Sequence, residues 1–420
     1  MSISVIGLGY IGLPTAALFA SRKIPVHGVD VEASVVAKVN RGEVHFIEPD
    51  LDIVVRAAVT EGYLHASTEV APAAVFIIAV PTPFKEDRQP DLTYIEKAAQ
   101  LIAPVLQPGN LVILESTSPV GTTESLSRWL AAARPDLTFP TEQGEQAEIR
   151  VAYCPERVLP GHILKELVEN DRVMGGVTSL CALKAKEAYQ AFVEGNCFLT
   201  DARTAELCKL TENSYRDVNI AFANELSMLC DTLDVNVWEL IRLANHHPRV
   251  NILQPGPGVG GHCIAVDPWF IVSSAPEDAV LIKTARQVND HKPHWVLAQT
   301  KKAVDAYLKT HENEAATDVV IACLGLSYKA DIDDLRESPA MMITQALAVQ
   351  HSGPVLAVEP NITQLPASCA QFLELCHWQA ALEKAHIVLI MVDHKAFKSI
   401  PVAVWQNRHV MDLRGILEHA

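Results

Sequence analysis

The chain has 420 residues, a length that exceeds one ordinary hydrophobic core and predicts two or three domains. Its formal net charge of −16 argues against binding to nucleic acids or to anionic membranes, because both would repel it. The nine cysteines are scattered without paired spacing, which indicates free thiols in a reducing compartment and no disulfide framework.

The apolar runs of the sequence are short. The longest, such as residues 75–80 and 387–392, fall far below the ~20 residues that a membrane helix needs, and they fit buried parallel strands. No basic segment or small-residue cleavage site precedes the first apolar run, so we expect no signal peptide. We therefore expect a cytoplasmic protein that does not associate with membranes.

The first predicted elements are a strand at residues 3–6, a glycine-rich turn, a helix at 15–21 and a strand at 26–30. The turn reads Gly7-x-Gly9-x-x-Gly12, and Asp30 closes the second strand about twenty residues later, as in the dinucleotide fingerprint. A carboxylate there accepts hydrogen bonds from the ribose of NAD and repels the extra phosphate of NADP. The sequence therefore predicts an NAD site, and the alternative is a glycine turn without function.

Further strands are predicted at residues 75–80, 111–114 and 150–153, each followed by a polar or proline-containing turn. Ligands bind at the carboxyl ends of strands in open α/β sheets, so these turns are candidate rims of a cofactor and substrate cleft. Thr82 and Thr123 lie in them and are candidates to bind the cofactor or a catalytic water. The alternative for Thr123 is a cap on the helix that follows.

Residues 204–233 contain no glycine or proline and predict one long helix. Lys209, Asn213 and Arg216 recur on one face of it. A polar stripe is usually solvated, but this helix also carries more apolar side chains than one exposed helix needs. That composition favours burial between domains or subunits, and the three polar groups would then form part of a site.

The segment that follows ends in an unusual loop, in which Gly256, Gly258, Gly260 and Gly261 precede His262, Cys263 and Asp267. A nucleophile-like thiol in a chain with a redox cofactor suggests oxidation through a covalent sulfur adduct. The alternative is a tight turn with a buried cysteine. Upstream, Arg249 is a candidate to grip a phosphate or carboxylate, or else forms a surface ion pair.

A polar stretch at residues 310–317 marks a domain boundary, after which the α/β pattern restarts. Strands are predicted at 319–324, 355–358, 387–392 and 409–411 without the full glycine fingerprint. This second doubly wound domain would hold a nucleotide other than the redox cofactor. Lys329 and Arg336 are the candidates to bind the negative charges of that nucleotide. We predict domains at residues 1–200, 201–309 and 310–420.

Six separated motifs, in this order, resemble the UDP-glucose/GDP-mannose dehydrogenase family over essentially the whole chain. They are the glycine fingerprint with Asp30, Ser116-Thr117-x-Pro119-Val120-Gly121-x-Thr123, Pro155-Glu156-Arg157, Lys209-x-x-x-Asn213, Gly260-Gly261-His262-Cys263-x-x-x-Asp267-Pro268, and Gly325-Leu326-x-Tyr328-Lys329 with Asp334-x-Arg336-Glu337-Ser338. Within the family, Glu156 to Gly161 and Gly261 to Ile264 resemble the N-acetylhexosamine branch, whose uronate products feed enterobacterial common antigen and related surface polysaccharides.

The resemblance implies an α/β fold of two Rossmann-like doubly wound domains, joined by a long central helix and a helical dimerisation region. It implies a homodimer that uses NAD to oxidise a UDP-N-acetylhexosamine, and it implies no metal. The cofactor contacts correspond to Gly7, Gly9, Tyr10, Ile11, Gly12, Asp30, Thr82, Thr123 and Arg336. The substrate contacts correspond to Arg157, Val158, Lys209, Asn213, Arg216, Gly260, Tyr328 and Lys329, with His247 and Arg249 supplied by the neighbouring subunit.

The chemistry that the resemblance implies is a four-electron oxidation at C6 of the sugar, with Cys263 as nucleophile. Lys209 and Asn213 would serve the first oxidation, and Glu156, Thr123 or Asp267 would orient the hydrolytic water. Two other classes stay open at this point. A two-electron dehydrogenase of the hydroxyacid type would need no cysteine, and an NAD-binding sensor would turn nothing over.

Overall fold

The computed structural model describes residues 1–85, 88–261, 264–405 and 408–417. The chain divides into two compact units. The first comprises Met1–Glu212 and Trp269–Pro276, and the second comprises Asn213–Pro268 and Glu277–Ala420. All eight cysteines within the described ranges are free thiols.

The first unit alternates strands and helices. In chain order they are β1 (Ile3–Ile6), α1 (Gly12–Ser21), β2 (Val26–Val29), α2 (Ala33–Asn40), α3 (Leu51–Thr60), β3 (Leu64–Ser67), β4 (Val75–Ile78), α4 (Thr93–Ile102), β5 (Leu111–Leu114), α5 (Thr122–Ala133), α6 (Pro140–Gln143), β6 (Arg150–Tyr153), α7 (Ile163–Glu169), β7 (Arg172–Gly176), α8 (Ser179–Tyr189) and β8 (Cys197–Asp201). The strands form one sheet in the order β3-β2-β1-β4-β5-β6-β7-β8. Its pairs are parallel except β6 with β7.

The central strands of this sheet are buried on both faces, as expected when helices cover a parallel sheet on both sides. Along β1, Ile3 and Val5 belong to one apolar core and Ile6 to the other, because successive side chains point to opposite faces. The chain winds outward from β1 to β3 and then returns to start β4 on the other side of β1. This reversal opens a crevice at the carboxyl ends of β1 and β4.

The helices described next along the chain are α9 (Ala202–Leu233), α10 (Val237–Ala244), α11 (Asp267–Ser274) and α12 (Val280–Thr310). Helix α9 runs for 32 residues, as its lack of glycine and proline predicts. Its first part belongs to the first unit and the rest, from Asn213, to the second. Helix α12 contains Pro293 and nevertheless continues to Thr310.

The second unit continues with β9 (Ile321–Leu324), α13 (Pro339–Gln350), β10 (Val355–Val358), β11 (Glu374–Leu375), α14 (Trp378–Lys384), β12 (Ile387–Ile390), α15 (Lys395–Lys398) and β13 (His409–Asp412). These strands form a fully parallel sheet in the order β11-β10-β9-β12-β13. The predicted fold class, two Rossmann-like α/β sheets with a long helix between them in the chain, is confirmed. No helix among the described residues is long and apolar enough to cross a membrane.

The structure also differs from the sequence prediction in detail. Helix α1 begins at Gly12 rather than at residue 15, and β4 ends at Ile78 rather than at residue 80. Strands β3, β7, β8 and β11 were not predicted. They lie toward the sheet edges, where β8 is largely exposed, so they lack the continuous apolar run of a central strand.

Candidate active site

The glycine turn after β1 is built for close backbone approach. Gly7 has φ +93°, and a Cβ there would lie 2.6 Å from the Ala79 carbonyl oxygen. A Cβ on Gly12 would lie 1.8 Å from the Gly7 carbonyl oxygen, so the start of α1 packs directly on the turn. A Cβ on Gly9 would meet nothing within 4 Å. The first and third glycines are therefore required by packing, whereas the second leaves open space where a pyrophosphate can approach the helix N-terminus.

Asp30 follows β2 and faces this turn. Its Oδ2 accepts the Leu8 N–H at 2.9 Å and its Oδ1 accepts the Glu32 N–H at 3.0 Å. The carboxylate is partly exposed and keeps lone pairs for a ribose diol. Within the glycine turn, Tyr10 is exposed and stacks on Phe46 with ring centroids 4.3 Å apart, and Ile11 is half-buried at the N-cap of α1.

The two threonines predicted to meet cofactor or water have different surroundings. Thr82 Oγ1 is buried, and it has no hydrogen-bond partner within the described ranges. Thr123 lies fully buried in the first turn of α5, where its hydroxyl donates to Glu206 Oε1 at 2.5 Å. Thr123 does not cap α5, since Gly121 occupies the N-cap position. The hydroxyl of Thr82 is therefore available to a ligand, whereas the proton of Thr123 is committed to Glu206.

Glu206, the partner of Thr123, was not predicted from the sequence. This buried carboxylate also accepts the N–H groups of Gly121 and Thr123, at 2.6 and 2.7 Å, and so satisfies the open N-terminus of α5. Burial raises the pKa of Glu206, although hydrogen bonds from Thr123 and Gly121 oppose that rise. The signal available in the sequence was an acidic residue one turn before Lys209 on a helix with a buried face.

Lys209 and Glu156 form a nearly buried ion pair in the first unit. Lys209 Nζ lies 3.1 Å from Glu156 Oε1, and the two side chains are 8% and 12% exposed. The second oxygen of Glu156 accepts the Val158 N–H at 2.9 Å, which orients the carboxylate. Helix α9 and the segment after β6 thus bring together an ammonium and a carboxylate that belong to separate sequence motifs.

Arg157, the next residue in the chain, forms its ion pair and hydrogen bond with residues other than Lys209 and Glu156. Its guanidinium pairs with Glu212 at 2.7 Å and donates to the Asp171 carbonyl oxygen at 3.2 Å. Arg216 is exposed on α9, whereas Lys209 and Asn213 are buried. The predicted polar stripe is therefore divided between two buried groups and one that faces solvent in the single chain.

In the second unit, Asn213 Nδ2 donates to Asp267 Oδ2 at 2.6 Å, and both side chains are buried. This bond fixes the amide so that its nitrogen points toward the carboxylate at the start of α11. Cys263 and His262 lie outside the described residues, four and five positions before Asp267.

The glycine loop before Cys263 packs against the C-terminal part of the second unit. A Cβ on Gly260 would lie 2.4 Å from the Glu337 carbonyl oxygen and 2.7 Å from Pro339 Cδ. Gly261 has φ +83°, and a Cβ there would lie 3.0 Å from Cε2 of Tyr328. The glycines are therefore needed because Tyr328 and the start of α13 press on the loop.

The remaining predicted contacts lie on the surface. Lys329 is exposed, and Arg336 is exposed and pairs with Asp334 at 2.7 Å. His247 and Arg249 are exposed, and the Arg249 N–H donates to His247 Nδ1 at 3.3 Å.

Comparisons with known proteins assign the chain to a family. Three models of the UDP-glucose/GDP-mannose dehydrogenase family match it: the NAD binding domain at residues 1–193, the central domain at 203–291 and the UDP binding domain at 322–419. The chain is 61% identical to the NDP-N-acetyl-D-galactosaminuronic acid dehydrogenase of Ralstonia nicotianae, over 99% of this chain and 96% of that protein. It is 59% identical to the UDP-N-acetyl-D-mannosamine dehydrogenase of Escherichia coli K12, over 99% of both.

A solved structure of a nucleotide-sugar dehydrogenase also matches the chain over nearly its full length. The UDP-D-ManNAc dehydrogenase from Pyrococcus horikoshii matches with a TM-score of 0.86 and 40% identity, over 99% of this chain and 96% of that one. The fold and the matched domains define an NAD-dependent dehydrogenase of nucleotide sugars. The chain belongs to the UDP-glucose/GDP-mannose dehydrogenase family, and its cofactor is NAD.

Proposed function

We propose that the chain is a UDP-N-acetyl-D-mannosamine 6-dehydrogenase, which oxidises the C6 alcohol of the sugar to a carboxylate with two NAD and one water. The observation that carries this substrate is the 59% identity to the Escherichia coli enzyme over nearly the full length of both chains. The Ralstonia relative at 61% identity favours a second candidate, a nucleotide-linked N-acetylgalactosamine. The two sugars differ at C2 and C4 and share the C6 alcohol, so both candidates use the same chemistry.

The residues around the glycine turn fit NAD. The open space beside Gly9 admits the pyrophosphate, the partly exposed Asp30 suits the ribose hydroxyls, and the buried hydroxyl of Thr82 is available for a ligand bond. NAD, when bound, supplies the hydride acceptor for each of the two oxidations. We further propose that Tyr10, Ile11, Thr123 and Arg336 complete its site.

The Lys209–Glu156 pair is suited to the first oxidation. In our proposal Lys209, after passing its own proton to Glu156, or a water that it polarises, takes the proton of the C6 hydroxyl, and the Lys209 ammonium and Asn213 stabilise the oxyanion that develops. The two residues lie one turn apart on α9, and each is already oriented by a carboxylate, Glu156 and Asp267 respectively. Such preorganised donors lower the barrier because they need no rearrangement when charge develops.

Cys263 would then retain the half-oxidised sugar. Its thiolate adds to the C6 aldehyde to give a thiohemiacetal, and loss of a second hydride and a proton converts this adduct to a thioester. Water cleaves the C–S bond and releases the carboxylate and the free thiol. We assign orientation of this water to Glu156, which is partly exposed and held by the Val158 N–H, with Asp267 and Thr123 as supporting groups.

We also propose that the protein acts as a homodimer in the cytoplasm and supplies uronate for surface polysaccharides such as enterobacterial common antigen. Support for the dimer comes from α9, which from Asn213 onward exposes Tyr215, Phe222, Leu229 and Leu233 at helical spacing. His247 and Arg249 would then complete the neighbouring subunit's substrate site, together with Arg157, Val158, Arg216, Gly260, Tyr328 and Lys329 of the subunit itself.

The sugar is tested by measuring NADH formation with UDP-ManNAc, UDP-GalNAc, UDP-GlcNAc and UDP-glucose. We expect kcat/KM for UDP-ManNAc to exceed the others by at least about tenfold, the discrimination available to a pocket that hydrogen-bonds one epimer. An equal or larger value for UDP-GalNAc would replace the proposed substrate with the second candidate.

The role of Lys209 is tested with Lys209→Ala. Turnover should fall by about a hundredfold or more, the usual scale for an acid–base group. The matched control is Lys165→Ala, which removes an exposed lysine paired with Glu169 and should leave turnover unchanged. Near-normal turnover of Lys209→Ala would remove this residue from the mechanism.

A further inference from the structure

The second unit contains a carboxylate in the position that Asp30 occupies in the first. Glu359 stands directly after β10, as Asp30 stands directly after β2. Gly325, with φ +91°, follows β9 as Gly7, with φ +93°, follows β1. Each carboxylate accepts the N–H of the residue after that glycine, Leu326 at 2.8 Å for Glu359. The two sheets thus repeat the same turn and the same acidic position.

The surroundings of Glu359 differ from those of Asp30 in one decisive respect, because every acceptor site of its carboxylate is filled. Oε2 accepts the N–H groups of Leu326 and Ser327, at 2.8 and 3.1 Å, and contacts His394 Nε2 at 3.0 Å. Oε1 accepts the backbone and side-chain N–H groups of Asn361, at 3.2 and 3.0 Å. A carboxylate offers about four lone-pair sites, so Glu359 has none left for a ribose.

The hydrogen bonds of His394 fix its tautomer. The imidazole is fully buried, and its Nδ1 receives the Asp331 N–H at 2.9 Å and the Asn361 side-chain N–H at 3.1 Å. A nitrogen that accepts carries no proton, so the proton of the neutral ring is on Nε2 and is donated to Glu359. Burial by itself raises the pKa of Glu359, but the bonds from His394 and the Leu326 N–H outweigh it and hold the pKa below its usual value. The lowered pKa favours the ionised carboxylate, which accepts the Nε2 proton of His394.

These bonds clamp the segment 325–331 at both ends. Glu359 binds its start at Leu326 and Ser327, and His394 binds its end at Asp331. Between them, Ser327 Oγ donates to the Lys329 carbonyl oxygen at 2.8 Å. The residues held in the middle are Tyr328, whose ring contacts Gly261 of the glycine loop, and the exposed Lys329.

We propose that Glu359 and His394 are positioning residues of the sugar-nucleotide site, which hold the segment 325–331 so that Tyr328 and Lys329 meet the nucleotide. The inference rests on the proposed function, which assigns these two contacts to the substrate. The acidic residue that follows the second strand of each sheet, Asp30 after β2 and Glu359 after β10, thus has a different role in each unit. In the first it faces the ligand, and in the second it fixes the segment that faces the ligand.

The test uses the full-length protein and UDP as the probe, with binding of UDP and of NAD measured by titration calorimetry. Glu359→Gln keeps the size of the side chain but presents an amide N–H₂ to N–H donors. We expect the Kd for UDP to rise by about tenfold or more, the effect of one lost charge-assisted bond in a buried network, while the Kd for NAD changes by less than about twofold.

The matched control is His386→Asn. His386 Nδ1 also accepts a backbone N–H, that of Val320 at 2.9 Å, but at the opposite end of the same sheet. It should lower thermal stability without changing the Kd for UDP. Unchanged UDP binding by Glu359→Gln would overturn the positioning role alone. Failure of the wild-type protein to bind UDP would overturn the proposed function, and with it the ligand role of this pair.

Two variants of His394 test the same idea even if Glu359→Gln does not fold. His394→Gln retains a donor near the position of Nε2 for Glu359, and His394→Asn retains an acceptor near the position of Nδ1 for Asp331. Because the bond to the carboxylate is charge-assisted, UDP binding should weaken by about threefold or less in His394→Gln and by about tenfold in His394→Asn. Equal values, or the reverse order, would contradict the proposal.

Discussion

Lys292 should make the protein more stable as the pH rises above neutrality. This side chain on α12 is only 1% exposed. Its Nζ contacts Ser227 Oγ at 2.6 Å and lies 3.8 Å from the centroid of the Trp295 ring. Burial lowers the pKa of Lys292 to about 7, although the charge of Asp231 opposes the shift. Between about pH 7 and the unfolded value of 10.5, the unfolded chain therefore binds more protons than the folded one.

The sign and size of the effect follow from this difference. The free energy of unfolding rises with pH wherever the unfolded state binds more protons, so the loss of stability is largest below the folded pKa and disappears above the unfolded one. With the two pKa values above, the gain between pH 7 and pH 9.5 is about 3 kcal/mol. Lys292→Met fills similar space without a titrating group and leaves Ser227 still bonded to the Asn224 carbonyl oxygen.

The measurement is urea unfolding of the wild type and of Lys292→Met at both pH values. The wild type should gain about 3 kcal/mol more than the variant on going from pH 7 to pH 9.5, and the variant should be the more stable of the two at pH 7. Lys302→Met serves as a control, because Lys302 is exposed on the same helix. If the wild type and Lys292→Met showed the same dependence on pH, the buried and neutralised state of Lys292 would be refuted.

Three further predictions concern the site. Glu206→Gln puts an amide N–H₂ in place of one of the two oxygens that accept three hydrogen bonds at the N-terminus of α5, and kinetics should show at least about a tenfold loss of kcat. Full activity would show that the anchoring of Thr123 is irrelevant to turnover. Gly261→Ala should lower kcat/KM by more than about tenfold, because the new Cβ would press on the ring of Tyr328. The control is Gly62→Ala, which has φ +78° and open space around it and should change only thermal stability. Equal kcat/KM values for the two variants would show that the contact between residue 261 and Tyr328 does not matter for activity. Asp30→Ala should raise the Kd for NAD by about tenfold and reduce the preference for NAD over NADP, and an unchanged Kd measured by fluorescence titration would contradict the assigned role.

Much of the fold was predictable because its signals are local. The strand, glycine turn, helix and terminal Asp30 lie within about thirty residues, and the central strands are continuous apolar runs. The same holds for α9, where the absence of glycine and proline over 32 residues predicts one helix. Strands such as β8 gave no such signal, because an exposed edge strand shows neither a full apolar run nor strict alternation.

The supporting network of the site could not be predicted, because it depends on contacts between residues far apart in sequence. Glu206 meets Thr123 across 83 positions, and Glu359 meets His394 across 35. A single acidic residue in a helix or after a strand usually faces solvent, so neither stood out. The sequence supplies the groups that we propose as ligand contacts, whereas the residues that hold those groups become visible only when the chain is folded.

We propose above all that Cys263 retains the half-oxidised sugar between two hydride transfers. It is tested most directly by counting NADH formed per molecule of UDP-ManNAc consumed in a reaction run to completion. We expect two NADH and one uronate per sugar, and rapid quenching followed by mass spectrometry should detect the sugar attached to Cys263. One NADH per sugar with release of free aldehyde, or two NADH with undiminished turnover in Cys263→Ser, would contradict it.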